Sequence, residues 1–177
     1  VQMRVPGVTD VLEGERRPGH FDGVATVVSR LFNQVQPDVA AFGRKDYQQL
    51  AVIRYLVRDL AFPVELLAGE TVREADGLAM SSRNQYLDEG ERALAPRLHQ
   101  VLKSMREAMR AGTAPADVEA RARAALGEDG FDVDYAVVRR PDLTDVGATV
   151  EPGTYVALVA ARLGRTRLID NLEFELG

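Results

Sequence analysis

The stretch Phe42-Gly43-Arg44-Lys45-Asp46-Tyr47-Gln48-Gln49 puts a glycine, two cations, an acid and two amides directly behind a short apolar run. If that run is a strand and Asp46 opens a helix, backbone N–H groups and the positive end of the helix dipole converge just past the strand's carboxyl end. Lys45 adds a full positive charge there, which suits a polyphosphate whose leaving group gains negative charge as it departs. An ordinary strand-to-helix turn with an exposed lysine has the same composition, and the stretch alone leaves both readings open. A second stretch, Asp76-Gly77-Leu78-Ala79-Met80-Ser81-Ser82-Arg83-Asn84, carries two hydroxyls and a guanidinium in consecutive positions. Arg83 offers planar bidentate donors and Ser81 and Ser82 offer short ones, so the segment can wrap phosphates. A polar interdomain loop would use the same residues for conformational reasons.

The elements that must position these residues are legible from periodicity. Arg17-Pro18-Gly19 is a turn, and Phe21, Val24, Val28, Leu31 and Phe32 recur at helical spacing over 20–35. The run DVAAFG at 38–43 lies between Pro37 and the polar stretch and predicts a strand buried on both faces of a parallel sheet. A helix is expected over 47–60, with Asp46 as N-cap and Gln49 at capping-box distance, and a second buried strand over 63–68. Helix, strand, helix and strand with short connections make a piece of an open α/β sheet. Beyond position 71 the rhythm changes. One long helix is expected over 88–111, a second over 116–126 with Thr113 and Pro115 at its start, and strands over 131–139, 155–163 and 167–174. The short Leu163-Gly164-Arg165-Thr166 connection predicts an antiparallel hairpin. The expected division is therefore 1–71, an α/β unit, and 72–177, a small α+β unit.

Composition narrows the chemistry further. The 22 Lys and Arg against 27 Asp and Glu give a net charge of −5, and residues 1–71 carry 8 basic and 9 acidic groups, so neither half is a basic nucleic-acid module. The absence of Cys removes disulfides, thiolate nucleophiles and Cys-bound zinc together, and fits a cytoplasmic setting. His20 and His99 are the only histidines and stand far apart, which leaves no metal-ligating histidine spacing. No apolar run is long enough to cross a bilayer.

Several long stretches in register then carry a resemblance. RPGHFDGVATVV at 17–28, FGRKDYQQL at 42–50 and TVREADGLAMSSRNQYL at 71–87, with LEG at 12–14 and RLIDN at 167–171, resemble the successive signatures of the pantothenate synthetase family. The resemblance covers nearly the whole chain and is weakest over 89–130. It implies a Rossmann-like nucleotidylyltransferase domain, of which 1–71 is the C-terminal part, followed by a small lid domain. It also implies ATP-dependent condensation of pantoate with beta-alanine through a pantoyl-adenylate, with magnesium, in a cytoplasmic homodimer. By position, Gly43, Arg44, Lys45 and Asp46 fall on the nucleotide-binding stretch, Gln49 on the glutamine that holds pantoate, and Val72 on a residue beside the adenine. Met80, Ser81, Ser82 and Arg83 fall on the counterpart of the KMSKS loop. Such chemistry needs no Ser, Cys or His nucleophile, because the substrate carboxylate attacks the α-phosphorus and the protein positions it and stabilises charge. With Lys45 and Gln49 four residues apart, one helix face would hold the acid beside the phosphates.

The chain departs from the family in two respects. Arg44 stands where the family has Glu, which reverses a charge beside the phosphates. The family's upstream HxGH-type motif, whose histidines stabilise the transferring phosphate, does not occur in these residues, so the chain alone is expected to be an incomplete enzyme. Two rival readings stay open: a nucleotide-binding module that has lost catalysis, and another adenylyl-transferring enzyme that keeps a nucleotide as product. Glu13 and Arg17 either line the acid pocket or pair with each other, and His20 is read as a structural hydrogen-bonder.

Overall fold

The computed structural model describes residues 1–177, which divide into two compact units, 1–70 and 71–177. The first unit runs from a short helix α1 (Glu13–Arg16) through α2 (His20–Val35), β1 (Val39–Gly43), α3 (Tyr47–Asp59) and β2 (Glu65–Gly69). β1 and β2 pair in parallel, with Val39 opposite Glu65 and Gly43 opposite Gly69. The α/β class is as expected, but the strands are not buried on both faces. Their burial alternates, and Val39 and Leu67 are 46% and 48% exposed. The physical reason is that a strand buries two faces only when layers cover both. Here the other set of side chains turns inward, and Phe42 meets Phe32 of α2 edge-on at 6.4 Å. α2 itself buries Phe21, Val28 and Phe32 but leaves Val27, Leu31 and Val35 at least half exposed or nearly so, at 55%, 49% and 66%. Leu31, counted above among the core-facing positions, lies on this outer stripe.

The apolar face of α3 includes Tyr47, Leu50, Ala51, Ile53 and Leu56, and one polar side chain is buried with it. Gln48 is 4% exposed. Its Nε2 donates to the carbonyls of Val8 and Val11, both at 2.7 Å, and its Oε1 accepts from the Glu13 N–H at 3.0 Å. One side chain thus satisfies three backbone groups of the segment leading into α1 and ties that segment to α3. Buried polar groups left without partners cost about 1–3 kcal/mol each. Gln48→Ala is therefore expected to lower the stability of the first unit by at least about 2 kcal/mol, measured by chemical denaturation. A loss below about 0.5 kcal/mol would show that water replaces the amide without penalty.

The second unit contains α4 (Glu89–Leu94), α5 (Arg97–Arg110), α6 (Pro115–Glu128) and an antiparallel sheet β3 (Asp132–Arg139), β4 (Gly153–Leu163) and β5 (Thr166–Leu176), in the order β3-β4-β5. The hairpin at Gly164 forms as expected, with Leu163 opposite Thr166. The single helix expected over 88–111 is instead two. Pro96 has no N–H to continue the hydrogen-bond ladder of α4 and instead occupies the N-cap position of α5. Asp88 caps α4 through a complete capping box with Glu91. At α6 the cap position is Ala114 rather than Thr113, and Pro115 takes the first turn, where a missing N–H is harmless. Leu98, Leu102 and Met105 of α5, Val118 and Leu126 of α6, and Ala157, Val159 and Leu168 of the sheet share one core. No helix is long and apolar enough to cross a membrane.

Candidate functional site

The two polar stretches lie in different units, and each is built locally. In the first, β1 ends at Gly43, a 3₁₀ turn spans Arg44–Asp46, and α3 begins at Tyr47. The strand-to-helix geometry is the expected one, and it turns the unpaired N–H groups of the first turn of α3 toward the carboxyl end of the strand. Two details differ from expectation. Lys45 belongs to the 3₁₀ turn rather than to α3, so the i, i+4 argument does not place it on the face of Gln49. Asp46 sits at the N-cap with φ −91° and ψ 62°, outside the extended region a capping residue needs, and its side chain makes no capping hydrogen bond. Gln49 is consequently not held in a capping box. It is half-buried, and its side chain makes no hydrogen bond within the chain, which leaves its amide available to a ligand.

Arg44 is where the charge reversal is felt. Its Nη1 lies 3.1 Å from a carboxylate oxygen of Glu70, itself 80% exposed. A pair this open contributes about 1 kcal/mol or less to stability, but it offsets part of the added positive charge. His20 shares this neighbourhood electrostatically. Burial and then Arg17 hold its imidazole below the ordinary value, while Glu13 and Asp46 pull the other way, so it stays neutral at pH 7. Glu13 is buried and Arg17 exposed.

In the second stretch, the chain folds back on itself. Arg73 bridges Ala79 in antiparallel fashion, and Glu74 N–H reaches the Leu78 carbonyl at 2.8 Å. Gly77 makes the turn at φ +95°, and the ring of His99 lies 3.0 Å from where a Cβ would stand, so no other residue fits there easily. Leu78 and Ala79 are buried, and from this base Met80, Ser82 and Arg83 emerge into solvent. Ser81 Oγ accepts from the Arg83 N–H at 3.2 Å, Asn84 Nδ2 donates to the Ala79 carbonyl at 3.1 Å, and the Met80 N–H donates to the Val72 carbonyl at 2.9 Å. Val72 is 65% exposed. The segment carrying the two serines and Arg83 is thus an exposed loop on a buried footing, with a short 3₁₀ turn at Ser82–Tyr86.

The footing depends on residues that sequence reasoning passed over. Arg73 grips Asp170 of β5 through two hydrogen bonds of 2.7 and 2.9 Å, and Asp76 pairs with Arg92 of α4 at 2.5 Å. Asp170 lies in RLIDN and Arg73 in TVREADGLAMSSRNQYL, so both stood inside quoted stretches. Nothing in the sequence pairs residues this far apart. His99 Nδ1 is buried without a hydrogen-bond partner, 3.8 Å from Asp170. Burial and then Arg73, with Lys103 and Arg106, hold its pKa below the ordinary 6.5, and Asp170 only partly opposes them.

That depression sets a pH dependence. In the folded unit His99 stays neutral at a pH where the unfolded chain takes up a proton, so the unfolded state binds more protons and acid favours it. The contribution of His99 is complete above 6.5 and is lost as pH falls from there toward its lower folded value. The melting temperature of the second unit is expected to drop between about pH 7.5 and about pH 5.5, and His99→Gln is expected to flatten that part of the profile. An unchanged slope in the variant would place the dependence elsewhere.

No group of three or more His, Cys, Asp or Glu side chains could hold a metal ion.

The family described as pantoate-beta-alanine ligase matches residues 1–173. A pantothenate synthetase of Xanthomonas oryzae pv. oryzae (strain PXO99A) is 67% identical over 172 residues, covering 97% of this chain and 61% of the relative. The chain thus spans about three fifths of the length of the curated relatives it matches. Among solved structures, a pantothenate synthetase of Thermus thermophilus superposes with a TM-score of 0.88 at 47% identity, over 97% of this chain and 63% of that one. A pantoate-beta-alanine ligase of Francisella tularensis, described as complexed with beta-gamma ATP and beta-alanine, gives a TM-score of 0.73 at 25% identity, over 97% of this chain and 57% of that one.

Proposed function

The chain belongs to the pantoate-beta-alanine ligase family, and from that premise we propose that it serves the ATP-dependent condensation of pantoate with beta-alanine to pantothenate, AMP and pyrophosphate. In the first step a pantoate carboxylate oxygen attacks the α-phosphorus of ATP, and pyrophosphate leaves. In the second the beta-alanine amine attacks the acyl carbon of the pantoyl-adenylate, and AMP leaves with the carboxylate oxygen it received. In this reading Gly43, Arg44, Lys45, Asp46, Val72, Met80, Ser81, Ser82 and Arg83 bind ATP, and Gln49 binds pantoate. Lys45, Ser81, Ser82 and Arg83 touch the phosphates and stabilise the charge that develops on them. Magnesium, carried by the nucleotide, neutralises part of the polyphosphate charge. A homodimer and a cytoplasmic setting belong to the same proposal.

What supports this reading best is the family match over residues 1–173, together with a cationic turn at Arg44–Asp46 between β1 and a helix whose half-buried Gln49 makes no internal hydrogen bond. The test is a chimera in which these residues replace the matching part of the Xanthomonas oryzae relative. Gln49→Ala is expected to raise the KM for pantoate about tenfold or more with the ATP dependence unchanged. A change confined to ATP would remove Gln49 from the acid site.

A further inference from the structure

The phosphate-facing segment, on the reading above, is residues 80–83, yet none of their side chains reaches beyond the segment to hold it. Met80, Ser82 and Arg83 are exposed, and Ser81 serves only a local turn. What fixes them is the footing beneath. The Arg73 guanidinium, with 19% of its side chain exposed, faces an Asp170 carboxylate that is 3% exposed. Beyond the two bonds to Asp170, Nη1 donates to the Gly77 carbonyl at 3.1 Å and Nη2 to the Asn171 carbonyl at 3.3 Å. A single planar fork therefore joins three things: the turn at Gly77, the carboxylate of β5 and the β5 backbone. Asp170 Oδ1 also accepts from the Asn171 N–H at 2.8 Å, which fixes the carboxylate against its own strand. Leu78 seats in the core of the unit beside this fork, and the remaining polar ties, Asp76 with Arg92 and the Leu78 N–H to Asp76 Oδ1 at 3.1 Å, are exposed or local.

We propose that Arg73 is a positioning residue for the reaction: clamped on Asp170, it holds the base of residues 71–84 on β5 so that Ser81, Ser82 and Arg83 are ordered before a nucleotide arrives. It touches no ligand itself. The proposal rests on the reading that residues 80–83 bind ATP. A loop already in its binding conformation binds with its intrinsic affinity, whereas one populated only a fraction of the time binds more weakly by that fraction. Lysine cannot replace the clamp, because one ammonium on a flexible stem cannot serve the carboxylate and two carbonyls in a fixed plane.

Two measurements test it. The first is amide hydrogen exchange on the 177-residue chain. In Arg73→Gln the amides of Met80, Asn84 and Leu87, each bonded within this segment, are expected to exchange on the order of ten- to a hundredfold faster. Amides of Val138, which donates to Glu119 Oε1 at 2.9 Å, and of Val159, in the central strand β4, are expected to keep their protection. The second is steady-state kinetics on the chimera. Arg73→Lys is expected to melt near the parent while its KM for ATP rises about tenfold, with kcat and the KM for pantoate within about twofold. Asp170→Asn is expected to do the same. If Arg73→Gln unfolds the second unit, Arg73→Lys decides both measurements. Unchanged loop exchange in a folded variant overturns the proposal, as does a loss of strand protection equal to that of the loop, which would make the clamp a general stabiliser. A parent chimera that shows no ATP-dependent turnover would sink the reading of the site, and the exchange data would still report on the clamp.

Discussion

Lys45→Ala is expected to lower the rate of adenylate formation in the chimera by between about tenfold and a hundredfold, the effect of losing one charge-assisted contact of about 1.5–3 kcal/mol. Lys45 stands in the 3₁₀ turn between the end of β1 and the start of α3, beside Arg44 and near the partial positive charge of the helix terminus. Arg44 substitutes only in part, because Glu70 offsets some of its charge. The loss should appear in the chemical step, since the leaving pyrophosphate gains charge in the transition state and uniform binding of ATP does not accelerate chemistry. Pre-steady-state measurement of pyrophosphate release without beta-alanine, and of AMP release with it, separates the two steps. A melting temperature that collapses while adenylate formation per folded molecule stays the same would make Lys45 a structural residue.

The larger effect is expected from the 177 residues by themselves. They match 61% of the Xanthomonas oryzae relative's length, and their only histidines, His20 and His99, fall in no HxGH spacing. Groups that act on one transition state lose most of their effect when some are missing. We therefore expect the isolated chain, given pantoate, beta-alanine, ATP and magnesium, to release AMP at least about a thousandfold more slowly than the chimera. A physical correlate accompanies this. The first unit leaves Val27, Leu31, Val35, Val39 and Leu67 exposed around a two-stranded sheet, and such a pair of strands is weakly stable without further cover. In hydrogen exchange, residues 1–70 should open before the three-stranded sheet of 71–177. Turnover by the isolated chain at the chimera's rate would show that these residues contain the whole site.

The two units differ in how much of their fold is legible in the sequence. Helix α2 was legible to the residue, because Pro18-Gly19 and Gln36-Pro37 bracket it and its apolar positions recur at helical spacing. The strands after residue 130 were legible because alternation and a glycine turn are local signals. The break at Pro96 was also a local signal, and the run of helix formers around it hid it. Burial of β1 and β2 was misread because an apolar run reports what a strand can bury, not how many layers are present to cover it. Gln48 was overlooked beside Gln49, although position 48 falls three and four residues before Ala51 and Val52, on the buried face of α3. Arg73 and Asp170 lie 97 residues apart, and no periodicity or motif spacing can announce a contact made only when a loop folds onto a strand.

The central claim is that these residues serve a ligase that activates a carboxylate as an adenylate. Pantoate labelled with oxygen-18 in both carboxylate oxygens tests it directly in the chimera. If the carboxylate attacks the α-phosphorus, one labelled oxygen leaves with AMP and the other remains in the amide carbonyl of the product, and Lys45→Ala slows the appearance of both. AMP free of label, or labelled inorganic phosphate alongside ADP, would mean that the acid is activated at another phosphorus and would contradict the account.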